Sequence, residues 1–247
     1  HSDQNNFQLN TGELVRKCRE KGIKNLVLIN PNNPTGTYIP RKEVLTLFSE
    51  LKELDNIIID ESFIDFAYEG EFEANLSTVN HIKDYPNVIL VKSMSKDFGI
   101  AGIRCGYGIM NKEKVDELLE TGYLWNISGL GSFFFKTLSR TDFIEKYKKV
   151  KVEYLKTTIK FFENLIKIGN THSNKIRVYP SNANFILIEG LNGITSEYLT
   201  INLLAEYGLY VRDCNDKIGL EGDFIRVAAR TQKENEYFLN SLNSLLL

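Results

Sequence analysis

The sequence predicts an α/β chain, with a mostly parallel sheet in its first part and a small α+β domain in its last. Three observations carry this expectation. Short continuous apolar runs alternate with helix-like stretches through the first 110 residues, a rhythm that lays helices on both faces of a parallel sheet. One long charged amphipathic stretch over 142–167 then separates this region from several shorter strand-like runs. The composition, 43% hydrophobic and 25% charged in 247 residues, is that of an ordinary globular chain with room for one or two cores.

The elements follow in order. Residues 13–21 read as a helix ended by Gly22, and 26–29 as a strand stopped by Asn30-Pro31. Residues 40–54 carry Val44, Leu45, Leu47, Phe48 and Leu51 at helical spacing, with Pro40 near the start. Ile57, Ile58 and Ile59 form a buried strand that ends in Asp60. Val88, Ile89, Leu90 and Val91 repeat the pattern and run into Lys92-Ser93-Met94-Ser95-Lys96, and 105–110 reads as a fourth strand. In the long stretch, Tyr147, Val150, Tyr154, Leu155, Ile159, Phe162 and Leu165 form an apolar stripe. Strands are then expected over 175–179, 183–188, 209–211 and 224–228, with a closing helix over 234–246. The division this implies is 1–140 for the sheet domain and 141–247 for a bridging helix and a small C-terminal domain. Parallel sheets bind ligands beyond the carboxyl ends of their strands, which is where the polar residues cluster.

Several function classes are excluded first. Thirty basic against 32 acidic residues leave no basic excess for a phosphate backbone, so no nucleic-acid partner is expected. Cys18, Cys105 and Cys214 form neither a disulfide framework nor a metal-binding spacing, and His1, His81 and His172 lie far apart; no metal site is expected and a reducing cytoplasm fits. No apolar run approaches the ~20 residues of a membrane helix. Residues 1–6 are polar and lack an initiating methionine or an apolar leader core, so the start reads as a cut.

Chemistry gathers at four strand-end groups: Asn33 in NPNNPTG, Asp60 in IIIDESFIDF, and Lys96 and Arg104 in VKSMSKDFGIAGIRCGYG, separated by 27, 36 and 8 residues. Taken singly, each is ordinary: Asn-Pro pairs mark turns, an Asp after a strand caps or turns, and a lysine among serines is commonly solvated. As an ordered set, the chain from Phe7 to its C-terminus resembles the fold-type I, pyridoxal-5′-phosphate-dependent aminotransferases of class I/II, near the histidinol-phosphate aminotransferase branch.

The resemblance implies the roles. Lys96 would form the Schiff base with the cofactor aldehyde and, once displaced, shuttle a proton. Asp60 would pair with the pyridine nitrogen and keep it protonated, making the ring an electron sink. Asn33 would donate to the phenolate oxygen. Ser93, Arg104 and, more weakly, Ser95 would hold the phosphate. Arg226, in DFIRVAAR, would take the substrate carboxylate or phosphate, and Arg212, in LYVRDCN, would help hold a substrate phosphate; Arg230 stays unassigned. Phe133, Phe134 and Phe135, with Trp125 before them, read as packing residues.

Two departures are visible. Phe63 stands where the family usually has a tyrosine whose hydroxyl reaches the phenolate oxygen, a feature shared with the threonine-phosphate decarboxylase branch. The N-terminal arm, glycine-rich phosphate turn and cofactor-stacking aromatic of the family are missing from these residues, so the chain is expected to be a C-terminal fragment; DESFIDF and LWNISGL also resemble the aminotransferase half of bacterial chains preceded by a nucleotidyltransferase-like domain. Intact relatives being homodimers, a dimer or larger assembly is expected. The leading expectation is transfer of an amino group between an amino acid or amino-phosphate compound and a 2-oxo acid. The alternatives are decarboxylation of a phosphorylated amino acid and a cofactor-free structural or regulatory remnant.

Overall fold

The computed structural model describes residues 5–72, 74–122 and 127–247. The chain divides into two compact units, one of Leu9–Pro31 and Tyr38–Val152, the other of His1–Gln8, Asn32–Thr37 and Glu153–Leu247.

In the first unit, α1 (Thr11–Glu20) begins at Asn10, whose side chain accepts the Glu13 N–H, and leads into β1 (Asn25–Ile29). Helix α2 (Arg41–Glu50) follows Pro40, whose fixed φ suits a helix entry. Then come β2 (Asn56–Asp60), β3 (Val88–Ser93) and β4 (Gly106–Ile109). The strand order is β1-β2-β3-β4. The first three are parallel, in keeping with the mostly parallel sheet expected, whereas β4 runs antiparallel to β3, with Ser93 opposite Gly106. Gly106 is required there, because a side chain would meet the Lys92 carbonyl 2.7 Å away. Beneath the sheet, Val44, Leu47, Phe48, Leu51, Ile57, Ile59, Val88 and Leu90 form one core with Val15 and Cys18. Val27 and Ile29 of β1 stay exposed, a departure from the expected doubly buried strand.

Two helices went unread in the sequence, α3 (Lys112–Glu120) and α4 (Gly129–Leu138), capped by Asn111 and Ser128. Phe134 of α4 is buried edge-on against Phe98, consistent with packing, while Phe133 is 70% exposed. Trp125 and His1 lie outside the described residues. Helix α5 (Thr141–Thr171) is the long amphipathic helix anticipated, a few residues longer at its C-terminal end.

The second unit carries an antiparallel sheet of β5 (Ile176–Tyr179), β6 (Phe185–Gly190), β7 (Arg212–Asp213) and β8 (Asp223–Ala228), in the order β5-β6-β8-β7. Helices α6 (Ser196–Tyr207) and α7 (Gln232–Leu246) cover it, the latter opened by a Thr231–Glu234 capping box. Leu165, Ile186, Ile188, Leu199, Leu203, Ile225 and Leu242 are fully buried at its centre. Helix α6 was also missed, and the strand expected over 209–211 falls instead on Arg212–Asp213. Leu209 and Val211 pack into the core without pairing in the sheet. Among the described residues no helix is long and apolar enough to cross a membrane.

Candidate active site

At the carboxyl end of β2, Asp60 turns the chain by accepting the Ser62 N–H at 2.8 Å on Oδ1. Its neighbour Glu61 is fully buried and satisfied by the Thr78 N–H at 2.9 Å, the Thr78 hydroxyl at 2.7 Å and the Ser77 hydroxyl. The Ser62 hydroxyl accepts the Ser93 N–H at 2.9 Å at the end of β3, and the Ser93 hydroxyl accepts the Ser95 N–H at 3.2 Å. A line of hydrogen bonds therefore joins Asp60, Ser62, Ser93 and Ser95 across adjacent strand ends. Lys96 follows, exposed, with Nζ 5.8 Å from the centroid of the buried Phe63 ring, within cation–π range. The Met94 N–H donates to the Cys105 carbonyl at 3.1 Å, which brings the Ser93–Lys96 turn beside Arg104. Arg104 has left-handed backbone, φ +57, and its exposed guanidinium donates to the Ala101 carbonyl at 3.3 Å. Six of the expected residues, Asp60, Phe63, Ser93, Ser95, Lys96 and Arg104, thus belong to this unit.

Asn33, Arg212 and Arg226 belong to the other. The Asn33 loop is closed by the Gly36 N–H to the Asn32 carbonyl and anchored by the Asn182 N–H to the Gly36 carbonyl, both 2.8 Å. Gly36 adopts φ +71 against Ser181, where a side chain would overlap. Arg226 on β8 lies opposite Arg212 on β7 and donates to Asn33 Oδ1 at 2.5 Å. A guanidinium only donates, so this contact turns the Asn33 amide NH2 away as a donor. Arg226 also sits 4.9 Å over the Phe185 ring centroid. Burial lowers its pKa, as does Arg212. Arg212 is balanced by Asp216 at 2.5 Å, whereas no carboxylate of the described residues pairs with Arg226. Arg212, Arg226, Arg230 and Tyr210 line a groove of about 750 Å³. Two facing guanidinium groups in a groove suit a dianion.

The sequence reading missed an ionic cluster in the first unit. Lys92, 8% exposed, pairs with Asp65 and lies 3.5 Å from Asp97, and Lys151 reaches Asp65 at 2.8 Å. Burial works against charge on Asp65, but the ammonium groups of Lys92 and Lys151 outweigh it and hold the pKa low. The same carboxylates outweigh burial at Lys92 and raise its pKa. Alternation was the available signal: it buries Val88, Leu90 and Lys92 on one face of β3. Among the described residues no group of His, Cys, Asp and Glu side chains could hold a metal ion.

The sequence model of the aminotransferase class I and II family matches residues 1–242. The L-serine phosphate decarboxylase of Campylobacter jejuni is 46% identical over 241 residues, 98% of this chain and 60% of that one. A histidinol-phosphate aminotransferase of Methanococcus aeolicus is 30% identical over 98% of this chain and 61% of its own length. Among solved structures, a decarboxylase from Sulfurospirillum multivorans superposes with a TM-score of 0.93 at 41% identity, covering all of this chain and 68% of that one. The chain belongs to the aminotransferase class I and II family, and its fold is that of the pyridoxal-phosphate-dependent transferases. It spans about three fifths of the length of the curated relatives it matches.

Proposed function

We propose that this chain carries the cofactor-attachment and anion-binding residues of a pyridoxal-phosphate-dependent decarboxylase that acts on a phosphorylated amino acid. The observation that carries the reading is the 46% identity to an L-serine phosphate decarboxylase along 98% of the chain. It favours the alternative over transamination, which rests on relatives near 30% identity. Phe63, in place of a hydroxyl-bearing tyrosine, agrees with it.

The residues present fit pyridoxal phosphate. They offer an amine on Lys96, a carboxylate on Asp60 at the neighbouring strand end, and phosphate donors in the Ser93 and Ser95 hydroxyls and the Arg104 guanidinium. Bound there, the cofactor supplies an electron sink for the pair released when the bond between Cα and the carboxylate breaks and carbon dioxide leaves. Asp60 would hold a proton at the ring nitrogen by opposite charge. The Asn33 amide NH2, left free to donate by the Arg226 contact on its oxygen, is the donor that would suit a phenolate oxygen. Lys96 returns a proton to Cα, which yields a phosphorylated amine. A carboxylate held in a strong ion pair resists leaving as a neutral gas, because such binding stabilises the ground state more than the transition state. Arg226 and Arg212 therefore serve this reaction by holding the phosphate dianion. In this reading, 1–140 is the cofactor-holding part and 141–247 the small domain, save that 1–8 and 32–37 group with the latter and 141–152 with the former, in a cytoplasmic homodimer that needs no 2-oxo acid.

The test is carboxyl-labelled O-phospho-L-serine with pyridoxal phosphate and the full-length protein. Release of labelled carbon dioxide without a 2-oxo acid supports the proposal. Formation of a labelled 2-oxo acid when an unlabelled 2-oxo acid is supplied as amino acceptor overturns it in favour of transamination. Lys96→Ala should abolish borohydride-trapped cofactor on the 96-containing peptide, and cofactor retained there would refute the Lys96 role.

A further inference from the structure

The ionic cluster in this unit has no part in the proposed chemistry, yet its members adjoin Ser93, Phe63 and Lys96 along the chain. Lys92 precedes Ser93 on β3. Asp65 stands two residues past Phe63, and Asp97 directly follows Lys96. Lys151 enters from α5. Tyr107 of β4 and Tyr147 and Lys148 of α5 line the same cavity, about 360 Å³, and Phe98 stacks on Tyr147 at 4.4 Å.

The Asp97 side chain is 2% exposed, and its Oδ1 has no hydrogen-bond partner. Its second oxygen faces Lys92 at 3.5 Å, a contact too long for a strong hydrogen bond. A buried carboxylate with one oxygen unsatisfied costs stability. Such a breach of local rules is expected where a site needs it.

We infer that Lys92 and Asp97 are positioning residues for Lys96: their ion pair, anchored through Asp65 to Lys151, holds the turn that presents the Lys96 amine. This rests on the reading of Lys96 as the attachment residue. The pair is a tether of fixed length from a rigid strand to the residue bonded to Lys96, and the second carboxylate, Asp65, ties the same ammonium to the turn that carries Phe63. Burial pushes the Asp97 pKa up to about 6, against the attraction of Lys92 and helped by Asp65. The other groups facing the pair, Tyr107 and Tyr147, are held protonated by burial. Asp97 is accordingly the member that titrates, and in mild acid the tether is released.

The experiment traps pyridoxal phosphate, added at one equivalent, with cyanoborohydride between pH 5 and 8. Peptide mass spectrometry then reads the adduct on Lys96 relative to that on Lys112, whose side chain is 81% exposed, so that ordinary amine protonation cancels. The wild-type ratio should fall about fivefold or more from pH 7.5 to 5, with a midpoint near 6. Asp97→Asn should lack that inflection and lie about fivefold below wild type at pH 7.5, Lys92→Met should match it, and Lys92→Arg should stay within about twofold of wild type. A purely structural role would not move the pH profile. An Asp97→Asn profile that overlays the wild type overturns this inference alone. Absence of adduct on Lys96 in the wild type overturns the Lys96 reading and this inference with it.

Discussion

Replacing Asp97 by asparagine should stabilise the protein at neutral pH, and the gain should vanish in acid. Burial raises the folded-state pKa from 3.8 to about 6. A folded pKa above the unfolded one means that the native state holds the proton more tightly. The stability this group contributes is therefore present below about pH 4 and is lost as the pH rises through 6. Asparagine has nearly the shape of the protonated acid and no charge to bury. At pH 7.5 it should recover the difference, on the order of 3 kcal/mol or about a hundredfold in the unfolding equilibrium. With a side chain only 2% exposed, solvent screening removes little of this. Urea unfolding followed by far-ultraviolet circular dichroism at pH 7.5, 6, 5 and 4 gives the comparison, with the two proteins expected to converge at pH 4. An Asp97→Asn protein that is less stable at pH 7.5, or a gain unchanged at pH 4, would refute the reasoning. If the gain appears while Lys96 attachment falls, stability and positioning are opposed at one side chain, as expected where a site keeps a costly group.

Two further expectations concern the scaffold. Gly36→Ala forces a side chain into left-handed backbone at φ +71 with its Cβ 2.6 Å from the Ser181 Cβ; it should cost more than about 1 kcal/mol in urea unfolding and displace the Asn33 amide, and an unchanged unfolding curve would contradict the close approach. Leu47→Ala removes a side chain that is 1% exposed in the α2 core; a loss of roughly 2–5 kcal/mol is expected, and a loss below about 1 would mean that this core is not close-packed.

Legibility followed how much of each signal is local. The strands of the parallel sheet were plain because Ile57 to Ile59 and Val88 to Val91 are continuous apolar runs, and α5 because its stripe persists over 31 residues. Helix α6 lacked such a signal, being apolar on most of its surface, with Ile201 and Leu204 exposed beside buried Leu199 and Leu203. Helix α3 carried one, since Val115, Leu118 and Leu119 repeat at helical spacing behind the Asn111 cap, and it went unread. The direction of β4 was not readable, since nothing in GYGI distinguishes parallel from antiparallel pairing. At the candidate site, the motif residues stood out because their spacing survives in one dimension. The Arg226–Asn33 contact joins residues 193 positions apart, and Asp65 meets Lys151 across 86; only the folded chain brings such pairs together.

The choice between the two reactions lies in how the substrate is held, and this chain's own groups bear on it. A guanidinium that grips a carboxylate favours keeping that carboxylate, which suits amino transfer; the same guanidinium on a phosphate leaves the carboxylate free to depart. Arg226 and Arg212, opposite each other on β8 and β7, together match the charge of a phosphate dianion better than that of a single carboxylate. Arg212 already spends one contact on Asp216 at 2.5 Å, so a singly charged carboxylate would draw mainly on Arg226, whereas a dianion gains from both. Arg212→Gln should then weaken binding of phosphoserine far more than binding of serine. Equal weakening of the two, measured as the change in KM, would mean that the pair recognises the carboxylate and would return the argument to transamination.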